Sequence, residues 1–276
     1  METITDAQDP RLVDYRHLTD AAARRSIEGD DADGMFIVEG VLALRQAVAG
    51  SHRLRSVLVT PSRAESMRQE LTELEAAGTP VLVAERSVLA GVTGYDVHRG
   101  VLAAADRHRL PDPATLLRTS SRAVVLEGLN DHENLGSVFR NAAALGLDAV
   151  LLDERCADPL YRRSVRVSLG WAVRVPYARL GVLPEGLDVL QAAGWRTVAL
   201  TPAADALDVD VAAAQGLLDD PVAFVVGAEG PGLTAATMAA CAARVRIPMR
   251  EGVDSLNVAT SLAVVSSFAA ARRSWS

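Results

Sequence analysis

The sequence contains no lysine, so all 28 of its basic residues are arginine. This absence excludes a Schiff-base lysine, a lysine general base and a phosphate-binding loop that ends in Gly-Lys-Ser/Thr. Arginine has a planar fork that suits bidentate contacts with phosphate groups. The basic side chains that contact anions in this protein are therefore arginines.

Cysteine and histidine are scarce as well. Two cysteines, Cys156 and Cys241, are too few for a disulfide framework or a cysteine-rich zinc site, and they are typical of ordinary thiols in a reducing cytoplasm. The five histidines show no metal-ligand spacing. The sequence therefore predicts a cytoplasmic protein that binds no metal.

Long apolar runs are also missing. The longest uncharged stretch, 255–271, is short for a membrane span and contains asparagine, threonine and several serines. The first ten residues are acidic and polar, unlike a signal peptide. We expect no membrane partner and interpret 255–271 as a buried helix.

Apolar strands alternate with helical segments in both halves of the chain, and hydrophobic residues make up 49% of it. This alternation predicts an α/β fold, with a mixed or parallel sheet in the first half and a parallel sheet, covered on both faces, in the second. The polar stretch around Pro111 and Pro113 favours a linker. We therefore predict a smaller α/β domain over 1–109, a linker over 110–121 and a larger α/β domain over 122–276.

A first polar cluster in the second half is "NLGSVFRNAAALG", 134–146. Its apolar residues follow the i, i+3, i+4, i+7 pattern of a helix that Asn134 would begin and Gly146 would end. Arg140 falls four residues after Gly136, on the same face. Taken alone, the segment also fits an ordinary amphipathic helix with a surface arginine.

Two further clusters follow. "FVVGAEGPGL", 224–233, is a strand followed by glycines around Glu229, and its spacing matches neither a Walker loop nor a dinucleotide-binding GxGxxG turn. "IPMREGVDSLNVATSL", 247–262, places Ser255 and Asn257 on either side of Leu256, where an apolar helix begins and such residues usually cap it. Separately, the two clusters fit a tight turn and a helix cap.

Together, the order N-x-G-x-x-x-R-N, G-x-E-G-x-G and I-P-M-(x)5-S-L-N-V closely resembles the three motifs of the SpoU (TrmH) family of RNA 2′-O-ribose methyltransferases. Residues 35–106 resemble, less specifically, the L30e-like RNA-binding domain that precedes the catalytic domain in that family. The resemblance implies a parallel sheet with a deep trefoil knot, S-adenosylmethionine as cofactor and a homodimer. It also implies an RNA substrate, and the additional domain favours ribosomal RNA over tRNA.

The resemblance also assigns site residues. It makes Arg140 the central catalytic residue, as a base or as a phosphate clamp, supported by Asn134, Glu229, Ser255 and Asn257. The cofactor-binding residues that it implies are Leu200, Thr201, Gly227, Glu229, Gly230, Gly232, Ile247, Met249, Leu256 and Asn257.

The distribution of arginine bears on the RNA partner. The net charge of −7 argues against a nucleic-acid partner, but between Arg155 and Arg179 there are six arginines and one acidic residue. Such a run is usually a solvated face, yet its position after the first motif favours contact with RNA. The residues predicted to contact RNA are Arg11, Arg16, Arg24, Arg25, Arg155, Arg162, Arg163 and Arg166.

Other functions stay open at this point. A tRNA 2′-O-methyltransferase would carry the same three motifs. A catalytically silent RNA-binding protein of the same fold would also keep the architecture, and binding of S-adenosylmethionine would distinguish it from an enzyme. A nucleotide-binding enzyme of another class is disfavoured by the absence of lysine.

Overall fold

The computed structural model describes residues 1–16, 18–19 and 34–270. The chain divides into two compact units, one formed by Met1–Arg109 with Leu160–Arg174 and the other by Leu110–Pro159 with Val175–Ser276. The segment 160–174 therefore packs with the first unit, although residues on both sides of it in the sequence belong to the second.

The first unit contains a five-stranded mixed sheet. Its elements, apart from those of 160–174, are β1 (Glu2–Ile4), β2 (Met35–Glu39), α1 (Val41–Val48), β3 (Leu54–Val59), α2 (Pro61–Ser66), α3 (Arg68–Ala76), β4 (Val81–Ala84), α4 (Arg86–Thr93) and β5 (Val101–Asp106). The strand order is β1-β4-β3-β5-β2, with β1 and β3 parallel to β4 and β5 antiparallel to β3 and β2. This mixed sheet agrees with the prediction for the first half.

The second unit contains a seven-stranded sheet. Its strands are β6 (Arg122–Glu127), β7 (Ala149–Asp153), β8 (Tyr177–Gly181), β9 (Arg196–Leu200), β10 (Leu207–Asp208), β11 (Val222–Gly227) and β12 (Ala243–Arg246). The order is β10-β12-β9-β11-β6-β7-β8, and all neighbouring pairs are parallel. The parallel α/β architecture is thereby confirmed, while the trefoil knot stays a prediction.

The remaining helices follow in chain order. They are α5 (Pro113–Arg118), α6 (His132–Leu145), α7 (Arg162–Val167, in the first unit), α8 (Asp188–Ala192), α9 (Val209–Ala214), α10 (Ala235–Ala240) and α11 (Val258–Ala270). The strands β6 and β11 are adjacent and almost entirely buried, which explains their continuous apolar sequences. The helix predicted over 255–271 is present as α11.

The prediction of a linker over 110–121 differs from the structure. Helix α5 occupies this stretch, and Leu116 and Leu117 lie in the core of the second unit. The Asp112 side chain caps the helix by accepting a hydrogen bond from Thr115 N at 3.1 Å. Pro113 stands in the first turn, where an absent N–H leaves no bond unmade, so here proline begins a helix instead of interrupting one.

Within the described ranges, no helix is both long enough and apolar enough to cross a membrane.

Candidate active site

The first motif lies on α6, which begins at His132. Asp131 caps this helix, because its Oδ1 accepts hydrogen bonds from Glu133 N at 2.9 Å and Asn134 N at 2.8 Å. The prediction that Asn134 begins the helix is therefore wrong by three residues, whereas Gly146 ends it in the left-handed region, as predicted. With the cap supplied by Asp131, the Asn134 side chain is available for other bonds.

The second motif forms a tight loop after β11, which we call the glycine loop (227–233). Gly232 N donates to Ala228 O at 3.0 Å, so the loop folds back on itself. A Cβ on Gly227 would lie 2.2 Å from the carbonyl carbon of Gly232. Glycine is therefore required at 227 because two backbone segments approach each other closely there.

The third motif joins the other two through Asn257. Asn257 Oδ1 accepts from Ala259 N at 3.0 Å and Thr260 N at 3.2 Å, which caps α11. Its Nδ2 donates to Asn134 Oδ1 and to Glu229 Oε1, each at 2.7 Å. A single amide thus brings three sequence motifs together at one point.

A cavity of about 630 Å³ lies beside this amide, at the carboxyl ends of β9, β11 and β12. Ligands of open parallel sheets bind at this edge, in pockets of roughly 300–1,000 Å³. The structure places all ten residues predicted to bind the cofactor in the lining of this cavity, and Ser255 lies there too. Met238 and Val265 also line it, although the sequence did not indicate them.

Arg140 lies on α6 but is not among the residues that line the cavity. Its side chain is exposed and makes no hydrogen bond or ion pair with any residue that the structure describes. The adjacent Asn141 is anchored, since its Nδ2 donates to Ala259 O at 2.7 Å and so ties α6 to the start of α11. Sequence reasoning missed Asn141, because its partner is a backbone carbonyl 118 residues away.

A buried carboxylate, that of Glu127, holds Thr234, the residue that follows the glycine loop. Glu127, at the end of β6, is only 2% exposed and accepts hydrogen bonds from Thr234 N at 2.9 Å, Thr234 Oγ1 at 2.9 Å and Thr237 Oγ1 at 2.7 Å. Thr234 in turn caps α10. Glu127 was also missed in the sequence, where it is one more residue at the end of an apolar strand.

Neither cysteine is suited to nucleophilic chemistry. Burial raises the pKa of the Cys156 thiol to about 12, with a further contribution from Asp153, and burial raises the pKa of the Cys241 thiol to about 11. Both are therefore protonated near neutral pH. In the described part of the chain, no three histidine, cysteine or acidic side chains are placed to hold a metal ion.

Several of the arginines predicted to contact RNA have partners within the protein. In the second unit, Arg155 is 3.3 Å from an Asp153 carboxylate oxygen and 3.7 Å from one of Glu127, while 60% of its side chain is exposed. In the first unit, Arg11 is paired with Asp9 and Glu2, and Arg16 donates to the backbone carbonyls of Gln8 and Asp9. Arg24 and Arg25 lie outside the described residues.

Arg162 and Arg166 share one partner in the first unit. Arg162 Nη1 is 3.4 Å and Arg166 Nη1 is 3.7 Å from the carboxylate of Glu39, which is 3% exposed. The Arg162 guanidinium also lies 4.1 Å from the centre of the Tyr95 ring. Arg163, between them on α7, is exposed. The predicted basic segment therefore has a structural part as well as an exposed part.

The SpoU rRNA Methylase family matches residues 121–267, more than half of the chain, and the family described as RNA 2′-O ribose methyltransferase substrate binding matches residues 37–111. The chain belongs to the SpoU family of RNA methyltransferases. The three motifs joined by Asn257 lie within the first match, and β3, β4, β5 and the helices between them lie within the second.

Curated relatives of this SpoU protein extend over most of its length. It is 43% identical over 264 residues to a tRNA/rRNA methyltransferase of Mycobacterium tuberculosis, covering 96% of this chain and 90% of the relative. It is 32% identical over 206 residues to the 23S rRNA (guanosine-2′-O-)-methyltransferase RlmB of Ralstonia nicotianae, covering 73% of this chain and 81% of RlmB.

Solved structures share the fold. A crystal structure of an RNA 2′-O ribose methyltransferase superposes with a TM-score of 0.73 at 29% identity and covers 98% of both chains. An AdoMet-bound rRNA methyltransferase from Sinorhizobium meliloti superposes with a TM-score of 0.78 at 23% identity and covers 97% of both chains. The SpoU fold, including an N-terminal substrate-binding domain, is thereby established for this chain.

Proposed function

We propose that this SpoU protein transfers a methyl group from S-adenosylmethionine to a ribose 2′-oxygen of ribosomal RNA. The observation that carries the proposal is the Asn257 amide, which joins Asn134 and Glu229 at the edge of a cavity of about 630 Å³. The names of the relatives support the reaction and the class of RNA, since one is a 23S rRNA guanosine-2′-O-methyltransferase. A relative with higher identity is named for tRNA and rRNA together, so tRNA is the alternative substrate.

The cavity suits S-adenosylmethionine. Leu200, Ile247 and Leu256 offer apolar contacts for an adenine ring and an alkyl chain, and the backbone of the glycine loop offers N–H and C=O groups. A Cβ at Gly230 or Gly232 would meet no atom within 4 Å, so the loop is open on that side. The remaining predicted contacts are Thr201, Gly227, Glu229, Met249 and Asn257. When bound, the cofactor supplies a methyl group that its sulfonium already activates.

We assign Arg140 to the RNA rather than to the cofactor, because it is exposed, unpaired among the described residues and outside the cavity lining. Action as a general base would require loss of its proton. An arginine guanidinium gives up that proton only at a large cost in free energy. A charged guanidinium that holds a phosphate and stabilises negative charge developing on the ribose 2′-oxygen avoids this cost.

The other polar residues have distinct roles in this proposal. Both amide hydrogens of Asn257 and its oxygen are already engaged, so Asn257 positions Asn134 and Glu229. Asn134 keeps its amide donors and Glu229 keeps its second oxygen for contact with a ribose. Ser255, exposed at the edge of the cavity, offers one more hydroxyl. These groups orient the 2′-hydroxyl for in-line transfer, in which its oxygen takes the methyl group as the bond from methyl to sulfur breaks and the hydroxyl proton passes to solvent.

The proposal extends to assembly and location. We propose a homodimer through the second unit, where Leu256 and Phe268 are each 38% exposed and Arg140 lacks a partner among the described residues. Light scattering would then give about twice the chain mass of 29.2 kDa, and a fully active monomer would contradict it. We also propose residues 1–109 as the RNA-binding domain, residues 122–276 as the methyltransferase domain and the cytoplasm as the place of action.

Methyl transfer with labelled S-adenosylmethionine tests the function. The purified protein is incubated with unmodified 23S rRNA transcript and, separately, with a pool of tRNA transcripts, and 2′-O-methylated positions are mapped. We expect label at one ribose of the ribosomal RNA. Label in tRNA alone would mean that the substrate is tRNA, the alternative, and not ribosomal RNA. Cofactor binding without transfer to RNA from a strain that lacks the gene would indicate a catalytically silent protein.

A further inference from the structure

A concentration of arginine surrounds the carboxyl end of β2 in the first unit. This strand ends at Glu39, whose buried carboxylate faces both Arg162 and Arg166 on α7. Tyr95 lies within 3.4 Å of the same carboxylate through its hydroxyl, and Arg162 covers its ring. Two guanidinium groups therefore share one carboxylate, which leaves a net positive charge at this point.

Two further arginines, Arg63 and Arg99, lie close to each other near Gly40, the residue that follows Glu39. Gly40 has a φ of +99°, and a Cβ there would lie 2.9 Å from Arg99 Cδ, so the Arg99 side chain lies directly across a bare backbone. Arg63, on α2, donates from Nε to the backbone oxygen of Arg99 at 3.0 Å. Both arginines are exposed, and neither forms an ion pair with a residue that the structure describes.

The backbone beneath these arginines is fixed. Gly40 N donates to Val101 O and Thr60 N donates to Gly100 O, each at 3.0 Å, so the ends of β2, β3 and β5 hold the loop that carries Arg99. Of the acidic groups nearby in the sequence, Glu65 pairs with Arg68, and Asp96 lies 3.3 Å from His98. A preorganised set of charges loses less conformational freedom on binding than a mobile set does.

We propose that Arg63, Arg99, Arg162 and Arg166 form one RNA-binding surface of the first unit, which we call the arginine surface. Arg63 and Arg99 contact phosphates of the substrate RNA, while Arg162 and Arg166 add positive charge from their places on Glu39. This deepens the proposed function, on which it rests, by naming the residues that hold the RNA. Guanidinium forks match phosphate oxygens. Two guanidinium groups on the Glu39 carboxylate and two exposed arginines beside the Gly40 backbone concentrate positive charge in a chain of net charge −7, which favours a polyanion.

The test compares two double variants that lose the same charge. Arg63→Gln/Arg99→Gln removes the proposed contacts, and Arg45→Gln/Arg53→Gln removes two other exposed arginines of the first unit, one on α1 and one just before β3. Binding of unmodified 23S rRNA transcript is measured without cofactor at several salt concentrations. For the first variant we expect about tenfold weaker binding or more, and a log–log salt slope that is shallower by roughly 1.4–1.8.

The control variant should keep the wild-type affinity and salt slope. Equal losses in both variants would attribute binding to overall charge and overturn the inference, as would a wild-type slope in Arg63→Gln/Arg99→Gln. If that variant does not fold, Arg99→Lys replaces it. Because lysine keeps the charge and loses the fork, weaker binding is expected, and unchanged binding counts against the inference. Methyl transfer by the wild-type protein is scored separately, so RNA binding without transfer would defeat the proposed function alone.

Discussion

Two carboxylates near the ends of adjacent strands, Glu127 at the end of β6 and Glu229 in the glycine loop after β11, have different surroundings. Glu127 is 2% exposed and accepts three hydrogen bonds from Thr234 and Thr237. Glu229 is exposed and accepts one, from Asn257. The first has its hydrogen-bonding capacity filled by the protein, and the second keeps an oxygen for a ligand. We therefore expect Glu127 to contribute to stability and Glu229 to the proposed chemistry, and we call the first the back and the second the front of the site.

This division implies that substitutions at the front, which also includes Arg140 and Asn257, reduce methyl transfer and leave the fold intact. Substitution of Glu127 at the back should instead reduce the free energy of unfolding. The division would fail if a front substitution unfolded the protein, or if a back substitution were neutral for stability.

The largest effect is expected at the front, for Arg140→Ala. The exposed guanidinium forms no hydrogen bond or ion pair with a described residue, so the variant should fold normally and bind S-adenosylmethionine within a few-fold of wild type. Methyl transfer should fall by roughly 10³-fold or more, as when a group that stabilises developing negative charge is removed. Single-turnover kinetics and calorimetry measure the two quantities. In Arg140→Lys, wild-type turnover would mean that a point charge is sufficient.

The second effect is expected at the back, for Glu127→Ala. The buried donor Thr237 Oγ1 and two part-buried donors of Thr234 lose their acceptor, and the free energy of unfolding should fall by about 1–3 kcal/mol, as when a buried donor is left unsatisfied. Urea denaturation followed by circular dichroism measures it. The matched control is Glu229→Ala, where an exposed side chain is lost and a change within about 0.5 kcal/mol is expected. Equal destabilisation by the two variants would remove the distinction between them.

A smaller effect separates the two roles of Asn257. In Asn257→Asp the side chain still accepts from Ala259 N and Thr260 N, so α11 keeps its cap. Its second oxygen faces the Glu229 carboxylate in place of the amide donor, and this repulsion between exposed groups should lower the free energy of unfolding by about 1 kcal/mol. Both donors to Asn134 and Glu229 are lost, and methyl transfer should fall by about 10- to 100-fold because the polar groups lose their alignment. Asn257→Ala is the control that also loses the cap. Unchanged turnover in Asn257→Asp would show that this amide does not position the site.

The smallest effect is expected for the thiols. Burial raises the pKa of Cys156 to about 12 and that of Cys241 to about 11, so at pH 8 almost none of either is thiolate. Iodoacetamide should label neither in the folded protein, and both in urea. In addition, Leu129 N donates to Cys156 Sγ at 3.3 Å, on the buried side of β6. Rapid labelling of Cys156 in the folded protein would show that the back of the site opens to solvent.

Apolar patterning predicted most of the strands and helices, but not those that lack a continuous apolar run. The edge strand β8 was missed because "YARLG" contains Arg179, which the structure uses internally to donate to Asp153 O and Cys156 O. Strand β1 has three residues and follows from pairing with β4, which its sequence cannot show. Pro111 and Pro113 indicate a linker in the sequence, whereas Leu116 and Leu117 pack into the core as part of α5.

The candidate site was predicted from the resemblance of the three motifs to those of a known family. Spacing alone does not reveal that Glu229 and Asn134, which lie 28 and 123 positions before Asn257, both bond to its side chain. The arginine surface was only half visible. Arg162 and Arg166 belong to a recognisable run, whereas Arg63 and Arg99 are single residues that converge only through the ends of β2, β3 and β5. An arginine that pairs with a side chain such as Glu39 contributes to the structure. The sequence pattern does not show which arginines have such a partner.

The position of Asn257 in the chain sets the order in which the site can appear during translation. Asn134 and Glu229 are synthesised first, and the amide that joins them comes 28 residues after Glu229. That amide is held in place by the backbone N–H groups of Ala259 and Thr260, which belong to α11. A nascent chain therefore carries the parallel strands and the glycine loop before it carries an aligned site, and the alignment is complete only once α11 has emerged from the ribosome and begun to form.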